Sequence, residues 1–208
     1  MLINPFAAIH NGKGVRRFLC LLLLAFCQIQ AHAGNRQDKD IEVDVSVNDG
    51  TVIIDSKFRV AATPQEAWTV LTDFEHMADF ISNLESSKVL GRSGNKVQIE
   101  QKGKAVHGLL SFSFETVREL QLTPFEKIHS RVLSGNLKKF DGVTNFSADA
   151  AGTWIVSHAE SIPDAWIPPI IGPSFIEGEV REQLQEMRNE IMRRKQEAAE
   201  REGLAPRK

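Results

Sequence analysis

The sequence predicts a single α+β domain in which a curved antiparallel sheet of six to seven strands packs against one long C-terminal helix. Short segments of alternating polarity fill the middle of the chain, and a long amphipathic segment follows them. The connections between the alternating segments are short, which favours antiparallel neighbours. A helix with one apolar side needs an apolar surface to cover, and the strands are the surface that this sequence provides.

The first 33 residues have the pattern of a secretory signal peptide. Three basic residues within positions 13–17 precede an apolar run over 18–27, and Ala31-His32-Ala33 supplies a small-x-small cleavage pattern. The apolar run is shorter than the ~20 residues that cross a bilayer. We expect export, with the bacterial periplasm as destination, and a mature chain that starts near Gly34.

Removal of this segment changes the composition. Cys20 and Cys27 both lie within it, so the mature chain is expected to have neither a disulfide nor a reactive thiol. Of 25 basic residues three are removed, which leaves 22 against 27 acidic residues and a net charge of −5. An acidic chain is a poor partner for nucleic acid, and we expect none.

The remaining histidines do not form a metal motif. His76, His107, His129 and His158 are dispersed and lack the spacing of zinc ligands. The sequence also has no glycine-rich phosphate loop or nucleophile elbow. We therefore expect neither a metal nor another cofactor.

The domain begins with strands and two short helices. Residues 34–50 read as a polar lead that contains a possible extra strand from Ile41 to Val47, and 52–62 reads as the first long strand. Thr63-Pro64-Gln65-Glu66 combines a capping box with proline at the first helical position, and a second helical turn is predicted over 77–81.

Six further strands separated by turn residues complete the predicted sheet. They are predicted over 85–91, 96–104, 107–120, 125–133, 137–148 and 153–162.

The last helix is predicted from Ser174 to about Glu197. Its apolar stripe has steps of three and four residues, and its members are Ile176, Val180, Leu184, Met187 and Ile191. Ser174 and Glu177 fit a capping box. The domain proper is assigned to 51–195, and the charged tail over 196–208 is expected to fray.

The order of these elements, together with several segments, resembles the START-like helix-grip (SRPBCC) superfamily. The segments are Leu71-Thr72-Asp73-Phe74, residues 80–90, residues 135–142 and Gly152-Thr153-Trp154. Within the superfamily they are most similar to the polyketide cyclase/dehydrase and coenzyme-Q-binding group. The resemblance implies a sheet that grips the C-terminal helix around an apolar cavity. It also implies that a lipid, an isoprenoid quinone or a polyketide is bound, and, in a minority of members, cyclised.

The aromatic inventory favours an apolar ligand. Twelve Phe and three Trp occur with no Tyr, which suits large apolar molecules better than recognition through phenols. The apolar residues predicted to contact the ligand are Phe80, Phe112, Phe114, Trp154, Phe175, Val180 and Leu184. The alternative for each of them is ordinary core packing.

Two polar residues of the last strand could orient a ligand. By the period of two, His158 and Glu160 share a face with Trp154. If that face is turned inward, an imidazole and a carboxylate enter the cavity. The alternative is that the opposite face with Ile155 is turned inward, which leaves His158 and Glu160 in solvent or paired with Arg131.

The connection over 163–173 is unusually apolar for a loop. It contains four prolines beside Trp166, Ile170 and Ile171. We predict that Trp166 and Ile170 close over the cavity or make transient membrane contact within 166–171. Packing on the sheet edge is the alternative.

The sequence therefore predicts an exported protein that binds, and could transfer, a hydrophobic small molecule. Two alternatives remain open. One is a polyketide cyclase/dehydratase-like enzyme acting through His158 and Glu160, and the other is a protein-interaction module that uses the 163–173 loop.

Overall fold

The computed structural model describes residues 41–107, 110–164 and 172–204. The predicted leader and the segment 165–171, with Trp166 and Ile170, lie outside these residues. The described elements are β1 (Ile41–Asn48), β2 (Thr51–Val60), α1 (Pro64–Leu71), a 3₁₀ turn (Met77–Asp79), β3 (Leu84–Ser93), β4 (Lys96–His107), β5 (Leu110–Thr123), β6 (Lys127–Gly135), β7 (Leu137–Asp149), β8 (Gly152–Pro163) and α2 (Gly172–Leu204).

All strands belong to one antiparallel sheet. Its order is β1-β2-β8-β7-β6-β5-β4-β3, so the early strand β2 lies beside the last strand β8. The sheet has eight strands rather than the predicted six to seven. The difference is β1, which pairs with β2 along its whole length, from Ile41 opposite Phe58 to Asn48 opposite Thr51.

The start of α1 is fixed as its sequence predicts. The Thr63 hydroxyl accepts a hydrogen bond from the Glu66 amide at 3.2 Å, and Glu66 Oε2 accepts one from the Thr63 amide at 2.7 Å. Pro64 occupies the first turn, where its missing N–H costs nothing. The second predicted helical segment is shorter than expected and consists of the 3₁₀ turn alone.

The long helix differs from its prediction at both ends. Because α2 begins at Gly172, Ser174 already lies inside it, and the predicted capping box is wrong. Glu177 instead accepts a hydrogen bond from Arg181 at 2.9 Å. Residues 196–204 of the tail do not fray as expected, since the helix continues to Leu204, and the last four residues lie outside the described ones. Side-chain pairs four residues apart, such as Gln196 with Glu200 at 2.9 Å, stabilise this extension.

The core lies between α2 and the sheet. Leu184 and Ile191 of the helix are buried in the same cluster as Phe58 and Ile155 of the strands. Arg181 additionally donates a hydrogen bond to the Ile41 carbonyl at 2.7 Å, which ties α2 to β1. Within the described part of the chain, neither helix combines the length and apolarity needed to cross a membrane.

A half-buried polar cluster joins α2 to the segment after α1. Arg194 donates to Asp73 at 2.7 Å and to Glu190 at 2.6 Å, and its guanidinium lies 5.6 Å from the centre of the Phe80 ring. Burial alone would raise the pKa of the Asp73 carboxyl, but hydrogen bonds from His76 and Arg194 outweigh this effect and lower it. Helix α2 is therefore held against the segment that follows α1 by polar as well as apolar contacts.

Candidate ligand cavity

A cavity of about 390 Å³ lies between α2 and the face of the sheet that this helix covers, which we call the inner face. Its volume falls within the range of small-molecule sites, about 300–1,000 Å³. The helix contributes Leu184 and Met187, and the segment from α1 onward contributes Leu71, Phe74 and Met77. The wall is predominantly apolar, so it suits a molecule with a large apolar surface.

The period of two in the strands decides which side chains form the inner face. On β5 these are Phe114, Thr116, Arg118 and Leu120, all of which line the cavity. This strand therefore places a charged residue in a row with apolar ones.

A glycine makes room for one of these aromatic rings. Gly103 lies directly opposite Phe114 in the β4–β5 pair. A Cβ atom at residue 103 would lie 2.3 Å from Phe114 Cζ and 2.3 Å from the Asn83 carbonyl oxygen. The ring of Phe114 can thus lie across the neighbouring strand and form part of the wall only because residue 103 has no side chain.

The predicted apolar contact residues are distributed between cavity and core. Phe114 and Leu184 line the cavity. Phe80 and Val180 instead pack against the core as partly buried residues. Phe175 is half-buried in the first turns of α2 and is not part of the wall.

The remaining apolar candidates are outside what the structure describes. The backbone of Phe112 belongs to β5, but its side chain is not described. The roles predicted for Phe112, Trp166 and Ile170 stay predictions.

The face of β8 that carries Trp154 is turned away from the cavity. Trp154 lies beneath Lys57 and Arg59, whose charged groups are 5.4 and 5.5 Å from its ring, and it donates to Asp149 at 3.0 Å. Ile155 of the same strand lines the cavity. The alternative that the sequence left open, with the Ile155 face turned inward, is the observed one.

The two polar residues predicted to enter the cavity, His158 and Glu160, lie on β8 at the same period of two as Trp154. His158 lies along the wall, but its imidazole is 54% exposed and hydrogen-bonded to Asp55 at 2.8 Å. Glu160 accepts a hydrogen bond from Lys139 at 2.7 Å, which lowers the pKa of the Glu160 carboxyl. The face of β8 that carries the smaller residues is therefore the one turned inward, and Glu160 is held outside by Lys139. His158 borders the cavity, so its predicted contact with the ligand stays a prediction.

A charged residue that the sequence analysis missed lies in the wall. Arg118 donates through Nη2 to the Gln101 side-chain oxygen, and its guanidinium lies 5.4 Å from the centre of the Phe140 ring. Burial lowers the pKa of the Arg118 guanidinium to about 10. Arg118 therefore remains charged at neutral pH inside a mostly apolar site.

Gln101 links this arginine to the helical segment. Its amide nitrogen donates to Ser87 Oγ at 3.0 Å and contacts Met77 Sδ at 3.4 Å. Gln101 is 5% exposed, so both ends of its amide are held in place. The Nη2 group of Arg118 is thereby fixed in direction.

Two polar atoms of the wall have no partner. Arg118 Nε and Ser130 Oγ are buried and make no hydrogen bond to any described residue. Arg118 also forms no ion pair with an acidic side chain among the described residues, although buried charges are usually paired. Its position was readable from the sequence, because Arg118 interrupts the inward row of the strand predicted over 107–120.

Other polar groups of the wall satisfy each other. The hydroxyls of Thr144 and Ser157 lie 2.9 Å apart, and Ser56 is opposite Ser157 in the neighbouring strand. Among the described lining residues, Arg118 and His158 are the titratable ones, and the described chain contains no group of three metal-ligating side chains. The wall as described can bind an apolar body and hydrogen-bond a polar end.

Comparison with known proteins agrees with this architecture. The profile of a family described as "Polyketide cyclase / dehydrase and lipid transport" matches residues 60–188. A search of curated proteins found no significant match.

Several solved structures share the fold at low sequence identity. A STAR-related lipid transfer protein from Xanthomonas axonopodis has a TM-score of 0.59 at 14% identity, over 74% of this chain and 94% of that one. The Zhui aromatase/cyclase from Streptomyces has a TM-score of 0.57 at 15% identity, over 69% and 95%. A START superfamily protein from Mycobacterium smegmatis has a TM-score of 0.56 at 12% identity, over 68% and 97%.

Proposed function

Because the chain belongs to the polyketide cyclase/dehydrase and lipid-transport family, we propose that it binds and carries a hydrophobic small molecule such as a lipid or an isoprenoid quinone. The ligand would lie between the inner face of the sheet and α2, without a covalent bond. The observation that carries this proposal is the cavity of about 390 Å³ with a mostly apolar wall.

The expected affinity follows from the buried area. Covering roughly 300 Å² of apolar ligand surface contributes about 7 kcal/mol, at ~25 cal/mol per Å², before the entropy of association is subtracted. Micromolar binding therefore requires a cavity that exists before the ligand arrives. The contacts of α2 with β1 and with Asp73 support such a preformed site.

The site of action is proposed from the sequence. The leader pattern over 1–33 supports export to the periplasm, where a carrier would exchange its ligand with a membrane. Trp166 and Ile170 supply the apolar side chains for that contact. Replacing Trp166→Ala together with Ile170→Ser is expected to slow ligand uptake from vesicles and to leave the melting temperature nearly unchanged. Equal uptake rates would remove this loop from the mechanism.

Native mass spectrometry tests the binding itself. The protein should be purified from the compartment in which its own host holds it, and its organic extract should be analysed in parallel. We expect a stoichiometric adduct whose mass matches an extracted lipid or quinone. A protein without any adduct, which also takes up none of the extracted lipids on incubation, would contradict the proposal.

An enzyme of the cyclase or dehydratase type is the weaker alternative. Of the acid–base pair that it would use, Glu160 is held by Lys139, and His158 borders the cavity with an exposed imidazole that is hydrogen-bonded to Asp55. Substituting either residue with Ala should leave ligand affinity unchanged. An affinity loss would instead support the prediction that these residues orient the polar end of the ligand, and a bell-shaped pH–rate profile would support the enzyme.

A further inference from the structure

Arg118 is a half-buried cation that has no anionic partner among the described residues. Within the described part of the chain its guanidinium has one hydrogen bond, to the neutral side chain of Gln101, and one ring contact, with Phe140. Neither neighbour carries a compensating charge. A charge in an apolar environment is strongly unfavourable unless it is paired and hydrogen-bonded, so such a group points to a partner that arrives from outside.

Two polar atoms that belong to residues of the cavity wall have no partner among the described residues. Arg118 Nε and Ser130 Oγ are buried without a partner, and both residues line the cavity. The sheet register places them close together. Arg118 is opposite Val132, so Ser130 is its diagonal neighbour on the inner face, at the ~7–8 Å separation of such pairs. A long arginine side chain reaches across this separation.

The geometry of the two donors selects the kind of group that fits. A guanidinium offers parallel N–H groups that match the two oxygens of a carboxylate, and such charge-assisted bonds are about twice as strong as neutral ones. The Ser130 hydroxyl can donate to one of the same oxygens. Only one permanent cation lines the described wall, so a singly charged head group balances it and a phosphate dianion would not.

We propose that Arg118 and Ser130 form a receptor for the carboxylate of an amphipathic ligand whose apolar chain fills the rest of the cavity. This inference rests on the proposed binding function and names the chemical class of the ligand. Gln101 acts as a positioning residue, because its hydrogen bonds to Arg118 and Ser87 fix the direction of the guanidinium.

Three probes of equal chain length test the inference in the unmodified protein. Dodecanoate, 1-dodecanol and dodecylamine would each compete with the neutral fluorophore N-phenyl-1-naphthylamine for delipidated protein at pH 8. We expect dodecanoate to bind at least about tenfold more tightly than dodecanol, the factor that one charge-assisted hydrogen bond supplies. Dodecylamine, which is protonated at this pH, should bind most weakly.

Variants assign this preference to the receptor. Arg118→Met keeps an unbranched apolar side chain of similar volume and removes the guanidinium with its charge, so the dodecanoate preference should disappear. Ser130→Ala should reduce it by a smaller factor. Arg92→Met removes an equal charge from an exposed position on β3 and should keep the preference intact.

The outcomes separate the two proposals. Equal affinities for dodecanoate and dodecanol in the unmodified protein would overturn the carboxylate receptor and leave the proposed binding function standing. A preference that persists in Arg118→Met would also overturn it. Failure of all three probes to displace the fluorophore, or failure of the fluorophore to bind, would contradict the proposed binding function itself.

Discussion

Replacing Arg118 with methionine should make the ligand-free protein more stable. The substitution keeps most of the side-chain volume in the wall and removes a half-buried charge that has no acidic partner among the described residues. Exchange of buried charged groups for apolar residues of similar size is often stabilising. The expected gain in the free energy of unfolding equals the amount by which the unpaired charge now destabilises the ligand-free protein.

The magnitude follows from the pKa of the guanidinium. Burial lowers it from 12.5 to about 10, which corresponds to roughly 3 kcal/mol at ~1.4 kcal/mol per pKa unit. This is an upper bound for two reasons. Part of the Arg118 side chain remains accessible, and the contact of the guanidinium with the Phe140 ring stabilises the charge by about 0.5–1 kcal/mol. Gln101 would also lose its donor, at a cost of about 1 kcal/mol. The net expectation is a gain of about 1 kcal/mol.

Urea and thermal unfolding of delipidated protein measure this difference. A gain of about 1 kcal/mol corresponds to a melting temperature higher by roughly 2–4 °C for a domain of this size. Arg131→Met is the matched control, since Arg131 is 65% exposed in an ion pair with Asp141 and should change stability by less than about 0.5 kcal/mol.

The pH dependence of the stability difference between Arg118→Met and the unmodified protein provides a second test, and its direction can be derived. Above pH 10 the folded protein has begun to lose the Arg118 proton while the unfolded chain retains it, so rising pH favours the folded state of the unmodified protein. The advantage of Arg118→Met should therefore shrink as the pH rises through about 10. A variant that is less stable than the unmodified protein by more than about 1 kcal/mol would refute the reasoning, because it would mean that Arg118 stabilises the fold.

Three other substitutions test separate parts of the structure. Thr63→Ala removes the helix cap that Glu66 completes and should lower the free energy of unfolding by about 1 kcal/mol in urea titration, whereas Thr63→Ser should not. Gly103→Ala places a Cβ atom against the Phe114 ring and should cost about 1–3 kcal/mol, and unchanged stability would show that the ring is not held there. Ile54→Phe enlarges a half-buried residue of the wall and should lower ligand affinity by about tenfold or more at nearly constant melting temperature, so unchanged affinity would place the ligand elsewhere.

The fold could be predicted because its signals are local. Strand alternation and the Thr63 cap depend on neighbouring residues, so the order of elements followed from the sequence. The end of α2 did not, since its last turns depend on pairs such as Gln196 with Glu200 rather than on an apolar stripe. The capping box predicted at Ser174 was wrong because the helix begins earlier, at Gly172. A capping box satisfies free backbone amides only at the start of a helix.

The cavity wall was predicted less well because burial of a strand face is a property of the assembled sheet. The sequence defines two faces of β8, and only the position of α2 decides that Ile155 faces inward and Trp154 outward. The face with Trp154 was predicted to be turned inward, but that face is turned outward and the Trp154 ring lies beneath Lys57 and Arg59. Arg118 was overlooked because a lone arginine in a strand is usually exposed, and its lack of a partner appears only in three dimensions.

The pairing of β2 with β8 has a consequence for how the molecule reaches its native state. Val52 is opposite Ser161, so more than 100 residues separate two strands that share hydrogen bonds. Contacts this distant in sequence slow folding, because a long stretch of chain must be closed before they form. Until β8 and α2 are in place, the inner face lacks both the strand that joins β2 to β7 and the helix that covers it. The site that holds the ligand is thus completed at the end of folding, and a nascent chain must keep an apolar half-sheet from aggregating in the meantime.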